Sequence, residues 1–200
     1  MTIITRRDWL RGVGASAGAL AFAAGMSASP RSARAEPILT DDGTWRQPWF
    51  IDSFLELPDD FEAAHKAGKH FAIIWELKGC PYCRETHFVN FARPDIAEFV
   101  KTHFDILPLN ILGSRKVVDF DGEELPENRL AAKYGVRFTP TIQFFPTTLD
   151  GLKEMKPQQR EVIRIPGYLQ PDDFLDVFKF VEQQANGVKT FRDFLKSKRT

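Results

Sequence analysis

Apolar residues fall along this chain in two rhythms. Continuous runs of strand length occur at His70–Trp75, Phe104–Leu109 and Ile142–Phe145, and the first suits a central strand buried on both faces. Between them the spacing is helical. Phe61, Ala64 and Ala67 form one stripe after Pro58-Asp59-Asp60, whose acids suit a first turn. From Pro81 the sequence turns helical, with proline in a position that needs no N–H, and Phe88 and Phe91 share a face. Pro94 interrupts, and Asp95–Phe104 resumes as a short helix with Ile96, Phe99 and Val100 inward. Pro171–Gln184 is amphipathic through Phe174, Leu175, Phe178 and Val181. Glycines at 68 and 135 close the helices that precede them.

The remaining elements are smaller. The run from Phe104 is expected to end at Pro108, and Val117–Phe120 before Asp121-Gly122 predicts a small hairpin. Pro126–Tyr134 reads as a short helix, Arg160–Ile165 as the hairpin partner of Ile142–Phe145, and Phe191–Leu195 as a last helical piece with a basic tail. The order is helix, strand, helix, strand, helix, strand, strand, helix. Before it, residues 36–57 carry prolines at 37 and 48 and aromatics at 45, 49, 50 and 54, an extended arm expected to pack on the domain. No internal repeat or second domain is visible, so 58–200 is read as one domain.

The N-terminus stands outside that domain. Thr5-Arg6-Arg7-Asp8-Trp9-Leu10 is followed by a mild alanine- and glycine-rich run from Gly12 to Met26 and then Ala33-Arg34-Ala35, an A-x-A cleavage pattern. Residues 1–35 resemble a twin-arginine export signal; the alternative is a retained membrane helix, for which the apolar run is short of ~18–20 residues. Cleavage would start the mature chain near Glu36 and place it in the periplasm. Five of the 27 basic residues lie in that segment with one of the 27 acids, leaving 22 basic against 26 acidic residues from 36 onward. No basic stripe remains, which argues against a nucleic-acid partner.

Only two cysteines occur, at 80 and 83, at the junction of the apolar run and the following helix. A Cys-x-x-Cys pair there is the usual setting of a redox-active disulfide. In the periplasm a disulfide could serve as a staple, but so short a loop constrains the unfolded chain little. The pair reads as chemistry. Cys80, at the helix start, faces unpaired N–H groups that favour thiolate and is the candidate nucleophile. Cys83, one turn later, is the candidate resolving thiol. Strand alternation puts Glu76 on the face of Ile74, where it could exchange a proton with Cys83; the alternative is a solvated or ion-paired strand-end glutamate. Lys78 has the same parity and is a candidate for favouring the Cys80 thiolate. His87 follows Cys83 by four residues, so haem attachment, which needs histidine directly after the second cysteine, fails at Arg84. His65, His70 and His103 are scattered, and Asp119–Gly122 lacks calcium-loop spacing, so no metal and no cofactor are expected. Trp45, Trp49 and Phe50 are read as core or as a partner groove.

The element order, with Cys-x-x-Cys after the first core strand and Thr139-Pro140 before the third, 57 positions beyond Cys83, resembles the thioredoxin superfamily over 58–184. The resemblance implies an α/β thioredoxin fold: a central mixed sheet flanked by helices, with the N-terminal arm and a C-terminal helical extension. It implies that Pro140 is cis and lies against a Cys80–Cys83 disulfide, and that Thr139 offers backbone groups to substrate beside Pro81 and Tyr82. Two departures are plain. Gly79 stands where thioredoxins have tryptophan, and Ile74 where they have a buried aspartate.

A narrower resemblance joins the export signal, Glu76–Cys83, Asn90–Ala97, Lys133–Thr141 and Phe191–Lys196. It is similar to the SoxW-type periplasmic thioredoxins of bacterial sulfur oxidation. That implies a monomeric disulfide reductase serving a periplasmic protein partner and recharged by a membrane thiol–disulfide electron donor. Pairing with a membrane oxidase would make the same centre an oxidant or isomerase. A binding or chaperone module that merely retains the disulfide is the alternative from another class.

Overall fold

A computed structural model describes residues 36–184 and 190–198; the expected export signal, residues 1–35, lies outside them. The arm contributes a two-stranded hairpin, β1 (Ile38–Leu39) and β2 (Trp45–Arg46). Helix α1 (Leu57–Lys66) leads to the strand β3 (His70–Glu76), and α2 (Pro81–Glu85) follows, continued by a π turn over Thr86–Asn90. Then come α3 (Pro94–His103), β4 (Phe104–Asn110), β5 (Lys116–Val118), β6 (Glu124–Pro126) and α4 (Glu127–Lys133). The chain finishes with β7 (Thr141–Phe144), β8 (Ile163–Pro166), α5 (Pro171–Glu182) and α6 (Phe191–Lys198).

The main sheet is four-stranded in the order β4-β3-β7-β8. Strand β3 pairs parallel with β4 and antiparallel with β7, and β7 pairs antiparallel with β8. The mixed sheet flanked by helices is therefore the one expected. β3 is central because it is apolar on both faces. Phe71, Ile73 and Trp75 join a cluster with Leu57, Phe61, Leu130 and Phe145, beneath α1 and α4. Ala72 and Ile74 join the opposite cluster, beneath α3, α5 and α6, with Ile96, Val100, Phe144, Phe178 and Phe194. Perpendicular ring contacts of Phe178 with Phe104 and Phe144, at 4.9 and 5.0 Å between centroids, fix that second core.

Several local expectations are corrected. Ala67 does not continue the α1 stripe; it caps the helix and is exposed. Phe88 and Phe91 do not share a face, because the π turn rotates the chain between them: Phe91 N–H donates to the Thr86 carbonyl at 2.9 Å, and Phe91 is buried while Phe88 is exposed. Phe99 is only half-buried, under the Lys179 ammonium. Strand β4 runs through Pro108 to Asn110, which an edge strand allows since proline lacks only an outward donor. Three outward groups of this edge have partners: the Ile106 carbonyl accepts from Ile51 N–H at 3.2 Å, the Pro108 carbonyl from Arg115 Nη2 at 3.3 Å, and Asn110 N–H donates to Glu127 Oε1 at 2.9 Å.

Arg160 is not in β8, which starts at Ile163. Its guanidinium turns inward to Asp119, 2.9 Å away and fully buried, while Lys133 and the Tyr134 hydroxyl reach the same carboxylate. The acids of Asp119–Gly122 are thus held by side-chain cations that tie the β5–β6 hairpin to α4 and the β7–β8 loop. The arm is more than an appendage, because Phe50 enters the core against Phe91 and His87, with Trp49 packed beside it.

Candidate active site

β3 ends at Glu76 and the chain must turn at once into α2. Gly79 makes that turn at φ 74, a left-handed conformation that suits glycine. Cys80 then takes the N-cap position, with Pro81 in the first turn. The Cys80–Cys83 disulfide is formed, with Cα atoms 5.3 Å apart. The two sulfurs differ sharply in setting. Cys80 is half-buried and its Sγ accepts a hydrogen bond from Cys83 N–H at 3.1 Å, whereas Cys83 is fully buried. An N–H aimed at Sγ favours the anionic form once the bond is reduced.

The far side of the site comes from the loop before β7. Thr139-Pro140 is a cis peptide, and the Thr139 carbonyl oxygen lies 3.5 Å from Cys80 Sγ. Pro140 is buried and its own carbonyl accepts from Gly167 N–H at 2.7 Å, while Thr141 Oγ1 donates to the Phe138 carbonyl at 2.7 Å. Pro81 and Tyr82 are exposed beside the disulfide, and the Tyr82 ring stacks at 6.1 Å on Tyr168. Phe138, also exposed, precedes Thr139. The structure therefore gathers Cys80, Cys83, Pro81, Tyr82, Thr139 and Pro140 at one end of the sheet. Phe138 and Tyr168 were not singled out by sequence; only their nearness to Thr139 and to the end of β8 hinted at them.

Glu76 is neither solvated nor paired with a surface cation. It is completely buried on the face of β3 that carries Ile74, and its Oε1 faces His87 Nε2 at 3.0 Å. Burial pushes its carboxyl above the ordinary range, His87 opposes the shift, and the negative charge of Asp42 adds to it. His87 is buried as well, one turn beyond Cys83 on the same helical segment. Behind it Gln47, from the arm, faces Nδ1 at 3.2 Å. Testing the spacing for haem alone missed this pair; the usable signal was a histidine four residues after the second cysteine. The aliphatic stem of Lys78 lies over Gly43, where an added Cβ would meet it at 2.8 Å.

Comparison with known proteins follows the same line. The thioredoxin-like domain family matches residues 57–182. Among solved structures the chain is similar to a thioredoxin-fold protein from Helicobacter pylori, at 23% identity over 65% of this chain and 80% of that one, with a TM-score of 0.48. A thioredoxin from Thermus thermophilus shares 21% identity over 62% and 82% of the two chains, with a TM-score of 0.45. The oxidised C-terminal domain of DsbD from Neisseria meningitidis shares 16% over 65% and 96%, with a TM-score of 0.43. No curated protein matches the chain. The family match and the half-exposed, half-sheltered disulfide together support thiol–disulfide oxidoreductase chemistry. Because the match takes in all four strands of the main sheet and both cysteines, the chain belongs to the thioredoxin-like domain family.

Proposed function

We propose that this protein is a periplasmic disulfide reductase, exported with residues 1–35 as a twin-arginine signal and working as a SoxW-type thioredoxin on a protein of a sulfur-oxidation system. The observation that carries the thiol–disulfide exchange in this reading is the inequality of the two sulfurs: Cys80 is reachable and receives an N–H, and Cys83 is fully buried. In the reduced protein the Cys80 thiolate attacks a substrate disulfide and forms a mixed disulfide as the first thiolate leaves. Cys83 loses its proton to Glu76, attacks Cys80 and releases the second thiolate. Two electrons pass to the substrate, and a membrane thiol–disulfide donor restores the dithiol. The half-buried Thr139, whose carbonyl oxygen lies beside Cys80, and the exposed rings of Tyr82 and Phe138 would meet a substrate chain at this end of the sheet, with Pro140 and Pro81 beside them. The compartment and the sulfur partner rest on the sequence resemblance alone.

The test is reduction of insulin with a dithiol donor. Wild-type protein should accelerate it and Cys80→Ser should abolish it; activity surviving that change sinks the assignment. Cys83→Ser should hold the partner on Cys80 as a stable mixed disulfide, from which it can be identified. The equilibrium potential of the couple sets direction, with a value near ~−270 mV favouring a reductase and one near ~−120 mV an oxidant.

A further inference from the structure

Gln47 lies in the arm, ahead of the family-matched region, yet its side chain is buried against His87, one turn beyond Cys83. Its Nε2 makes two approaches: to the His87 carbonyl oxygen at 3.1 Å and to His87 Nδ1 at 3.2 Å. The first fixes the amide's orientation, since a turned amide would set oxygen against oxygen. With an N–H₂ group thus aimed at Nδ1, that nitrogen is an acceptor and carries no proton. The imidazole proton then sits on Nε2 and is donated to Glu76 Oε1 at 3.0 Å. The second carboxylate oxygen, Glu76 Oε2, is buried with no partner among the described residues. A buried oxygen without a donor is costly as an anion and is a natural place for a proton.

We propose that Gln47 and His87 are positioning residues for Glu76: Gln47 fixes His87 with its proton on Nε2, that N–H holds Glu76 Oε1, and Oε2 is left as the atom that exchanges a proton with the resolving cysteine. The proposal rests on the disulfide-reductase reading above. When Cys83 attacks, its proton passes to Oε2 as the Cys80–Cys83 bond forms and the substrate–Cys80 bond breaks. Oε2 then gives that proton to solvent, from which the departing thiolate is protonated. No imidazolium is formed, so the buried pair carries one exchangeable proton. The groups placed against this unit are Asp42 from the β1–β2 hairpin, through its charge on Glu76, and the Phe50 and Phe91 rings against His87; Cys83 precedes His87 by one turn of the same helical segment.

Two measurements on the full protein test this. Long-range proton–nitrogen NMR on the oxidised form at neutral pH should show His87 with a pyrrole-like Nε2 and a pyridine-like Nδ1, the signal being assigned by its loss in His87→Gln. A protonated Nδ1 overturns the proposal whatever the activity. In stopped flow, reduced protein mixed with dithiobis(nitrobenzoate) releases two chromophores; the first reports attack by Cys80 and the second attack by Cys83. Gln47→Leu should leave the first phase intact and slow the second by roughly tenfold, part of the ~10²–10⁴ that a positioned proton acceptor contributes. Its pH profile should shift too. His87→Gln, which keeps an N–H near the same point, should retain more of the second phase than His87→Leu; should His87→Leu fail to fold, the comparison of Gln47→Leu with His87→Gln decides. An unchanged second phase in Gln47→Leu sinks the proposal and leaves the reductase reading standing. A wild-type protein that releases no chromophore sinks both.

Discussion

Glu76 shows how much a single position can hide in a sequence. Its parity with Ile74 was legible, because strand alternation needs only counting. Its partners were not: Gln47 is 40 residues from His87 and belongs to the arm, and no local spacing links them. Cys80, Cys83 and Thr139-Pro140 were legible because short motifs in a fixed order announce them. The burial of Glu76 has a measurable consequence. Its folded carboxyl sits above the ordinary 4.5, with desolvation as the largest cause. Between 4.5 and that higher value the native state binds more protons than the unfolded chain, so stability falls as pH rises through the folded value. Glu76→Gln keeps an acceptor for His87 and bears no charge. In the oxidised protein it should melt above wild type at neutral pH, with the gap closing as pH drops to 4.5 and below. Equal melting curves at every pH would contradict this account.

At the scale of elements, the apolar runs and helical stripes placed the sheet and its main helices, since burial on both faces writes itself into composition. The departures have physical causes. A π turn inserts an extra residue per turn and so moved Phe88 outward; no periodicity foretells it. Arg160 looked like the start of a strand, but the buried Asp119 is the stronger claim on its guanidinium. Removing one partner of a buried ion pair leaves the other charge stranded. Arg160→Met should therefore cost about 3 kcal/mol, tempered by Lys133, which also reaches Asp119. Urea unfolding should show a lower midpoint with an unchanged slope. A shift of less than ~0.5 kcal/mol would mean that Lys133 alone neutralises the site.

For the whole molecule, the family match at 57–182 is narrower than the folded unit. Phe50, ahead of it, and Phe194, beyond it, are both buried in the same core cluster as Phe178. The sequence suggested an arm packed on a domain, and Phe50 turns out to be part of that domain's interior. Phe50→Ala should cost about 3 kcal/mol, as core phenylalanine truncations do, and lower the thermal midpoint accordingly. It should also loosen the segment that carries Gln47, so the second, Cys83-dependent chromophore phase should slow alongside. Exposed Phe54, four residues on, is the control: Phe54→Ala should leave both unchanged.

The outer margin of β4 has a meaning for life at high concentration. A row of free donors and acceptors along a sheet's border invites another chain to add a strand, and that is a common route into fibrils. Here Ile51 occupies the acceptor at Ile106, Pro108 offers no donor and lends its oxygen to Arg115, and Glu127 takes the N–H of Asn110. A would-be neighbour arriving along β4 finds these contacts already spoken for by the protein's own arm, loop and helix. The segment that brings Gln47 to His87 thus also helps to keep that border closed to other molecules.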